Sequence, residues 1–237
     1  MEVTKVGQVN NVISENMSDT VKNNLTIVNG GERYIIRKPS VVNTNSVFHL
    51  IKRLADIIFS LLIIIIFAVP MIVISVIVKA DSKGPAIYAQ KRLGKDRKEF
   101  SILKFRSMVF DAEKDGAVWA KKDDERVTRV GAVLRKTHLD ELPQVFNILK
   151  GDMSVVGPRP EREIFYNSFS HYIEGFDHRL LVKPGLTGWA QINGGYELTP
   201  MEKAAWDVDY IEKQSLLLDL KCIIKTATII FGDDQTR

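Results

Sequence analysis

The segment IIFSLLIIIIFAVPMIVISVIV, residues 57–78, decides the architecture of this 237-residue chain. It contains no charged residue, and Ser60 and Ser75 are its polar side chains. About 20 apolar residues cover the hydrocarbon core of a bilayer, and a helix of this length extends for about 33 Å. The sequence therefore predicts a membrane helix, which we place at residues 47–80.

Two features indicate how this helix meets the membrane. Pro70 removes a backbone hydrogen bond and can bend or break a helix. Lys and Arg also flank the apolar run on both sides, whereas a spanning helix shows a one-sided excess; they are Lys52, Arg53, Lys79, Lys83, Lys91 and Arg92. The pattern favours a re-entrant helix that is broken at Pro70 and returns to the cytoplasmic face. A kinked spanning helix is the alternative.

The chain before the membrane helix is polar and rich in asparagine, without sustained periodicity. We expect residues 1–46 to form a mostly disordered tail with a short ordered stretch around ERYIIRKP, residues 32–39, and a partner-docking segment is the alternative. The first 30 residues lack a basic start followed by an apolar run, so no cleavable signal is expected. Residues 81–237 are expected to form one folded cytoplasmic domain.

This domain is predicted to be α+β and mostly helical. Alternating residues around Gly94 and Lys95 predict a small β-hairpin, and residues 126–150 predict two helices interrupted near residues 139–143. Glycine and proline cluster in the predicted loops GDMSVVGPRP, residues 151–160, and KPGLTGWAQINGG, residues 183–195. Residues 215–231 predict an amphipathic helix, which suits either the membrane interface or the core.

The charge and cysteine content restrict the function classes. A net charge of +4 and a pI near 9.0, beside a membrane segment, favour anionic lipid or a phosphorylated ligand as partner. No nucleic-acid module with interleaved aromatic residues is present, so a nucleic-acid partner is not expected. The single cysteine, Cys222, excludes an internal disulfide framework and a cysteine-based metal cluster, as is usual in a reducing compartment.

The stretch LDELPQ, residues 139–144, places two acids side by side before a proline. Pro143 is tolerated in the first turn of a helix, so Asp140 and Glu141 are expected at a helix N-terminus, where N–H groups and the helix dipole favour anions. The simplest interpretation is a helix cap, Asp140, followed by a first-turn acid, Glu141. A catalytic acidic pair is the alternative.

Basic residues crowd this half of the chain and favour a phosphate ligand. They include Lys104, Arg106, Arg126, Arg129, Arg135, Lys136 and Arg159. In VGPRP two prolines hold Arg159 in a stiff extended loop, which is an unusual setting for a solvated arginine. Arginine suits phosphate because its guanidinium makes paired hydrogen bonds.

Three motifs together carry a family resemblance. KFRSM, LRKTHLDELPQVFNILKGDMSVVGPRP and KPGLTGWAQINGG follow the hydrophobic segment in this order. Over residues 47–231 the chain resembles the bacterial sugar transferases, the monotopic polyprenol-phosphate phosphoglycosyl transferases that initiate exopolysaccharide, capsule and glycoconjugate assembly. The resemblance supports the re-entrant helix.

The resemblance implies an enzyme at the cytoplasmic face of the bacterial inner membrane. It would transfer a phosphosugar from a UDP-sugar to polyprenol (undecaprenyl) phosphate and release UMP. Asp140 would be the nucleophile that takes up the phosphosugar covalently, and Glu141 would help to hold Mg²⁺. Arg159, with Arg135, Lys104 and Arg106 as further candidates, would bind the donor phosphates. The resemblance does not indicate whether the chain forms a homo-oligomer.

The chain departs from the family pattern at two places. Val69 precedes Pro70 where some members carry a serine, and Gly195 or Tyr196 stands where many carry an arginine. The donor sugar is therefore not implied.

Several other residues keep two interpretations. His138 is either a base or a neighbour of the helix cap, and Trp189 is expected to pack rather than to stack on a base. Asp207, Tyr210 and Asp219 match family positions, yet structural roles are at least as well supported. Gly185 and Gly188 are expected to allow a tight turn near the nucleotide.

Two other function classes compete with the transferase. A non-catalytic membrane scaffold would use the basic face for anionic lipid or an assembly partner, and its binding would be insensitive to Mg²⁺. A metal-dependent prenyl diphosphate hydrolase would need more clustered acids or histidines than this chain has.

Overall fold

The computed structural model describes residues 17–28, 32–114, 124–195 and 197–231. Helices predominate, as predicted for this α+β chain. The helices are α1 Asp19–Asn24, α2 Ser46–Asp81, α3 Arg129–Lys136, α4 Gln144–Lys150, α5 Glu163–Ser170, α6 Trp189–Ile192, α7 Pro200–Lys213 and α8 Leu216–Phe231. The strands are β1 Leu25–Val28, β2 Arg33–Ile36, β3 Ile87–Leu93, β4 Glu99–Phe105, β5 Ser154–Val156, β6 Ile173–Glu174 and β7 Gly185–Thr187. Short 3₁₀ helices cover Lys95–Arg97, Leu139–Glu141 and Phe176–Leu181.

The predicted membrane helix is the 36-residue helix α2. Within the described chain it is the one helix long and apolar enough to cross a membrane, and most of it is not buried by protein. The Asn45 side chain caps its start by accepting from the N–H groups of Val47 and Phe48. Helix α2 continues through Pro70, so the expected break is wrong as an interruption of the helix. A proline lacks one N–H and crowds the preceding turn, which bends a helix without necessarily ending it.

Both ends of α2 are attached to the same folded domain. Near its start, Arg53 donates to the carbonyl oxygens of Ile148 and Leu149, at 2.6 Å each, at the end of α4. Near its end, Arg106 donates to the carbonyl oxygens of Val78 and Ser82. Between these attachments the helix is exposed, as at Ile65 (74%) and Val69 (70%). The central turns of α2 therefore expose apolar side chains that are suited to contact with a membrane.

The hairpin and the two consecutive helices are confirmed. Strands β3 and β4 pair antiparallel from Ile87↔Phe105 to Leu93↔Glu99, with the turn at the predicted place. Helices α3 and α4 are separated by the 3₁₀ turn at Leu139–Glu141. Strand β4 and α4 lie together, because Asn147 of α4 bonds the backbone of β4.

The segment before α2 is ordered, so the prediction of a mostly disordered tail is wrong for residues 17–28 and 32–45. Strand β2 pairs antiparallel with β1 and parallel with β6 to form a three-stranded sheet, which confirms an ordered stretch at residues 33–36. Val21, Leu25 and Ile36 are buried in a cluster that includes residues of α7. Residues 1–16 and 29–31 lie outside the described chain.

A salt bridge fixes the connection from this sheet to the membrane helix. Arg37 donates to both carboxylate oxygens of Glu212 on α7, at 2.8 and 2.6 Å, and Ser40 donates to the same carboxylate. Four such donors, counting the Ser40 N–H, lower the pKa of Glu212 to about 2. The segment therefore reaches α2 along the surface of α7.

Candidate active site

The acidic pair lies in the 3₁₀ turn Leu139–Glu141, between α3 and α4. His138 precedes the turn with a left-handed backbone (φ +59°), and Pro143 occupies the N-cap position of α4. The acids thus precede a helix, as predicted, but they occupy a turn of their own. Pro143 occupies the N-cap position, so Asp140 is not the cap of α4.

Glu141 is held by two cations. Lys104 of β4 donates to its Oε1 at 2.7 Å, and Arg159 donates to Oε1 at 2.5 Å and to Oε2 at 3.3 Å. Burial alone raises the pKa of a carboxyl, but the two cations outweigh it and lower the pKa of Glu141 well below its usual value. Glu141 is therefore ionised at neutral pH.

Asp140 has a different environment, although it is the next residue. Its side chain makes no hydrogen bond within the described chain, and the residue is only 7% exposed. Burial, together with repulsion from Glu141, raises the pKa of Asp140 to about 6, against the opposing effect of Lys104, Arg159 and Arg135. The carboxylate is thus weakly solvated and unpaired, which are properties of a reactive nucleophile.

Two backbone carbonyl groups in and just before the loop that carries Arg159 accept hydrogen bonds from buried cationic side chains. Arg179 donates to the Arg159 carbonyl oxygen at 3.1 Å, and its Nε donates to Asp207 at 2.6 Å in a fully buried ion pair. Lys52 of α2 donates to the Val156 carbonyl oxygen at 3.1 Å. Because both carbonyls are fixed by buried cations, the guanidinium of Arg159 is presented to Glu141 from a rigid backbone.

Lys52 belongs to a buried cluster that links α2, α7 and α8. Its Nζ lies 2.6 Å from Asp219, and the Tyr210 hydroxyl lies 2.7 Å from the other oxygen of the same carboxylate. The Tyr210 hydroxyl also lies 3.1 Å from the Val156 carbonyl oxygen. Burial raises the pKa of Asp219, and Lys52 opposes this rise. The structural interpretation of Tyr210, Asp219 and also Asp207 is therefore the one that the contacts support.

Close backbone packing explains the glycines of the second loop. A Cβ on Gly185 would lie 2.1 Å from the Gly157 nitrogen, and one on Gly188 would lie 2.2 Å from the Gly157 oxygen. Neither glycine has a left-handed φ. The expected tight turn is therefore replaced by close backbone packing between β5 and β7, which pair parallel, and this packing positions the start of the Arg159 loop.

The other predicted residues lie at different places. Arg135 donates to the Ser107 hydroxyl at 2.8 Å and is close enough to lower the pKa of Asp140. Arg106 does not reach the acids; it is 5% exposed and binds carbonyl groups at the end of α2. Trp189 packs edge-on against Trp206 and donates to Asp209, as expected of a packing residue. Tyr196 lies outside the described residues.

A sequence-family model described as bacterial sugar transferase matches residues 47–233 of this chain. The chain belongs to the bacterial sugar transferase family. The match begins within one residue of the start of α2, so strands β1 and β2 precede the matched region.

Three relatives show the range of this family. A UDP-N-acetylgalactosamine-undecaprenyl-phosphate N-acetylgalactosaminephosphotransferase of Aeromonas hydrophila is 43% identical over 78% of this chain and 45% of its own length. A putative undecaprenyl-phosphate N-acetylgalactosaminyl 1-phosphate transferase of Bacillus subtilis (strain 168) is 56% identical over 55% of this chain and 73% of its own. A UDP-glucose:undecaprenyl-phosphate glucose-1-phosphate transferase of Klebsiella pneumoniae is 47% identical over 77% and 40%, respectively. The chain thus spans less than half of the Aeromonas and Klebsiella relatives.

Several residues in and around this site were not predicted from the sequence. Lys52 counted only as a charge flanking the membrane segment, and Arg179 was not considered. Gln144, which is 1% exposed and follows Glu141 by three residues, was also missed. For Gln144 a signal existed, because a polar residue at a buried helical position needs a partner.

The chemistry of the acidic pair fits Mg²⁺. No group of three or more His, Cys, Asp or Glu that could hold a metal ion occurs among the described residues. Mg²⁺, however, is commonly held by one or two carboxylates together with water and substrate phosphates. Glu141 is ionised, and its Oε2 accepts only the longer bond from Arg159, so this oxygen is the more open to a cation.

Proposed function

We propose that this chain is a phosphoglycosyl transferase that moves a phosphosugar from a UDP-sugar to undecaprenyl phosphate and releases UMP. The observation that carries the proposal is the contrast within the acidic pair. Asp140 is buried and unbonded within the described chain, whereas Glu141 beside it is clamped by Lys104 and Arg159. The names of the relatives, which are sugar-phosphate transferases acting on undecaprenyl phosphate, support the same reaction.

Asp140 is the nucleophile of the first step. Its carboxylate oxygen attacks the phosphorus that carries the sugar, the bond from this phosphorus to the bridging oxygen breaks, and UMP leaves with that electron pair. In the second step an oxygen of undecaprenyl phosphate attacks the same phosphorus and releases the Asp140 carboxylate. The intermediate lets a soluble donor and a membrane-embedded acceptor react one after the other.

Cations of the site offset the charge that builds up in these steps. A carboxylate that attacks a diphosphate meets strong repulsion, so fixed positive groups stabilise the transition state. Arg159, Lys104 and Arg135 each lower the pKa of Asp140, so all three lie close to it. Mg²⁺, held by Glu141, would neutralise phosphate charge and help the leaving group. Arg106 has no part in this set, because its guanidinium binds the end of α2.

Membrane attachment follows from helix α2, which we propose dips into the cytoplasmic leaflet of the bacterial inner membrane and returns. A spanning helix would separate its two ends by the bilayer. Arg53 near the start and Arg106 beyond the end both join α2 to one domain, which supports a return to the same side. The apolar face of α8, exposed at Leu217, Leu220 and Ile224, is suited to the same interface.

The position in metabolism is the first membrane step of exopolysaccharide, capsule or glycoconjugate assembly, because the product is a lipid-linked phosphosugar. The donor sugar is left open, since the relatives use different sugars.

The test is a UMP-release screen of the membrane-bound chain with a panel of UDP-sugars, undecaprenyl phosphate and Mg²⁺. We expect UMP from at least one donor, dependent on Mg²⁺ and abolished by Asp140→Asn. The variant should remain in the membrane fraction. UMP from no donor, or normal turnover by Asp140→Asn, would exclude the proposed reaction.

A further inference from the structure

Lys203, in the first turn of α7, is a partly exposed cation that makes no hydrogen bond or salt bridge within the described residues. The helix dipole disfavours positive charge at this end of a helix. Glu202, the acid beside it, accepts from the Thr199 N–H at 2.8 Å and from the Thr199 hydroxyl at 2.6 Å, as part of a capping box. The charge of Lys203 is therefore not balanced by its own helix.

Lys203 lies beside the residues that hold the Arg159 loop. Residues four apart are neighbours on a helix, so Lys203 adjoins Asp207, whose carboxylate accepts from Arg179 at 2.6 Å. Arg179 also donates to the Arg159 carbonyl oxygen at 3.1 Å. Burial lowers the pKa of Lys203, and repulsion from Arg179 and Arg159 lowers it further, so both arginines lie close to it. Helix α7 thus adds a third cation next to the Arg159 loop.

The two acids near Lys203 are already paired with arginines. Glu161 and Asp207 oppose the lowering of its pKa. Glu161, however, forms a salt bridge with Arg92 at 3.0 Å, and Asp207 forms the buried one with Arg179 at 2.6 Å. Each acid is neutralised by its own arginine, so Lys203 is a surplus positive charge. Holding this charge partly buried beside other cations costs free energy that an anionic ligand would offset.

We propose that Lys203 is a donor-binding residue, whose ammonium donates to the phosphate that leaves as part of UMP. The inference rests on the proposed function. Lys104 and Arg159 both contact Glu141 and so serve the phosphorus that is attacked. Lys203 makes no such contact within the described chain and adjoins the Arg159 loop, which assigns it the second phosphate of the donor. Its flexible stem and three N–H donors suit a phosphate oxygen.

UMP carries this phosphate without the sugar, so it is the probe. Binding of UMP to the full chain in detergent with Mg²⁺ is measured by calorimetry. Lys203→Met should raise the Kd of UMP by about tenfold or more and lower kcat/KM for the UDP-sugar to a similar extent, because a charged hydrogen bond is lost. Its Tm without ligand should stay unchanged or rise, because a surplus charge is removed. Lys203→Arg keeps the charge and should retain most of the affinity.

Lys213, at the other end of the same helix, provides the matched control. Its side chain is 63% exposed and forms a salt bridge with Asp209 at 2.7 Å. Lys213→Met removes the same charge from the chain and should leave the Kd of UMP and kcat/KM unchanged. An equal loss of affinity in both variants would reflect net charge alone and would overturn the inference.

Three other results would also overturn it. They are an unchanged Kd of UMP in Lys203→Met, a Tm that falls together with the affinity, and a wild-type chain that does not bind UMP. Turnover separates this inference from the proposed function. If the wild type binds UMP but releases none from any donor, the proposed reaction fails, and the role of Lys203 is decided by the Kd alone.

Discussion

Two adjacent carboxylates differ in their chemistry because of their neighbours. Glu141 has Lys104 and Arg159 within hydrogen-bonding distance, whereas Asp140 has no hydrogen bond in the described chain. The pKa of Glu141 is lowered and that of Asp140 is raised to about 6. A pair whose pKa values are moved apart is suited to two roles, here a charged anchor and a nucleophile.

The raised pKa of Asp140 has a consequence for stability. The folded state holds the proton more tightly than the unfolded state, so the ionised carboxylate destabilises the fold as pH rises from about 4 to 6. Asp140→Asn should therefore raise the free energy of unfolding at pH 7.5 by roughly 2–3 kcal/mol while it abolishes UMP release. Denaturant unfolding at pH 7.5 and pH 3.5 is the measurement. The gain should disappear at the lower pH, and a variant less stable than the wild type at pH 7.5 would contradict the environment given to Asp140.

The same pKa predicts an acid limit for the reaction. The proposed nucleophile, Asp140, must be ionised, so kcat/KM for the donor should fall as pH drops below about 6, whereas Glu141 stays ionised over this range. The measurement is the pH profile of UMP release at low donor concentration. A rate that stays constant down to pH 5 would show that no such group controls the reaction.

At the scale of elements, local patterns predicted the structure where neighbours in sequence supply the contacts. The alternation around Gly94 gave the hairpin, and helical spacing with Pro143 placed the acidic pair before α4. The N-terminal sheet was missed because Val21, Leu25 and Ile36 find their apolar partners on α7, far along the chain. A polar, asparagine-rich composition carries no sign of such distant packing.

Among the site residues, too, local motifs predicted some positions, whereas contacts set by the tertiary fold were not predicted. The pair Asp140 and Glu141 and the stiff Arg159 loop were recognised from local motifs, and the structure brings Glu141 and Arg159 together. Arg106 was misplaced because a basic residue in a motif does not reveal which group it binds. Its partners are the carbonyl groups at the end of α2, set by the tertiary fold.

The buried ion pair of Lys52 and Asp219 joins the membrane helix to α8. Removing one partner leaves a buried charge, so Lys52→Met should lower the free energy of unfolding by about 3–5 kcal/mol. The double variant Lys52→Met/Asp219→Asn should recover part of this loss. Thermal unfolding in one detergent is the measurement, with Lys91→Met as the control.

The control pair is Lys91 and Glu99, which is exposed on the hairpin. Exposed pairs contribute little, so Lys91→Met should change stability by less than about 1 kcal/mol. A double variant no more stable than Lys52→Met alone would show that the two residues are not coupled.

At the scale of the whole molecule, the apolar helix and the folded domain form one unit. The domain holds α2 at both ends and leaves its middle exposed, so the acidic pair is kept at a fixed relation to the membrane. This arrangement suits a reaction between a water-soluble donor and a lipid acceptor.

The re-entrant topology can be tested by labelling in vesicles. Val41 lies before α2 and Glu99 lies in the folded domain, and both are exposed, whereas Cys222 is buried and should react little. With single cysteines at these positions, Val41→Cys and Glu99→Cys should both react with an impermeant maleimide from the cytoplasmic side. Labelling of the two positions from opposite sides would show that α2 spans the membrane.

The central claim is that the phosphosugar is carried on Asp140, and the direct measurement is the mass of the protein during the reaction. The wild-type chain, incubated with a UDP-sugar that releases UMP and with Mg²⁺ but no acceptor, should gain the mass of one phosphosugar. Digestion should locate this mass at Asp140, and addition of undecaprenyl phosphate should remove it. Turnover without any adduct, or an adduct on another residue, would contradict the account.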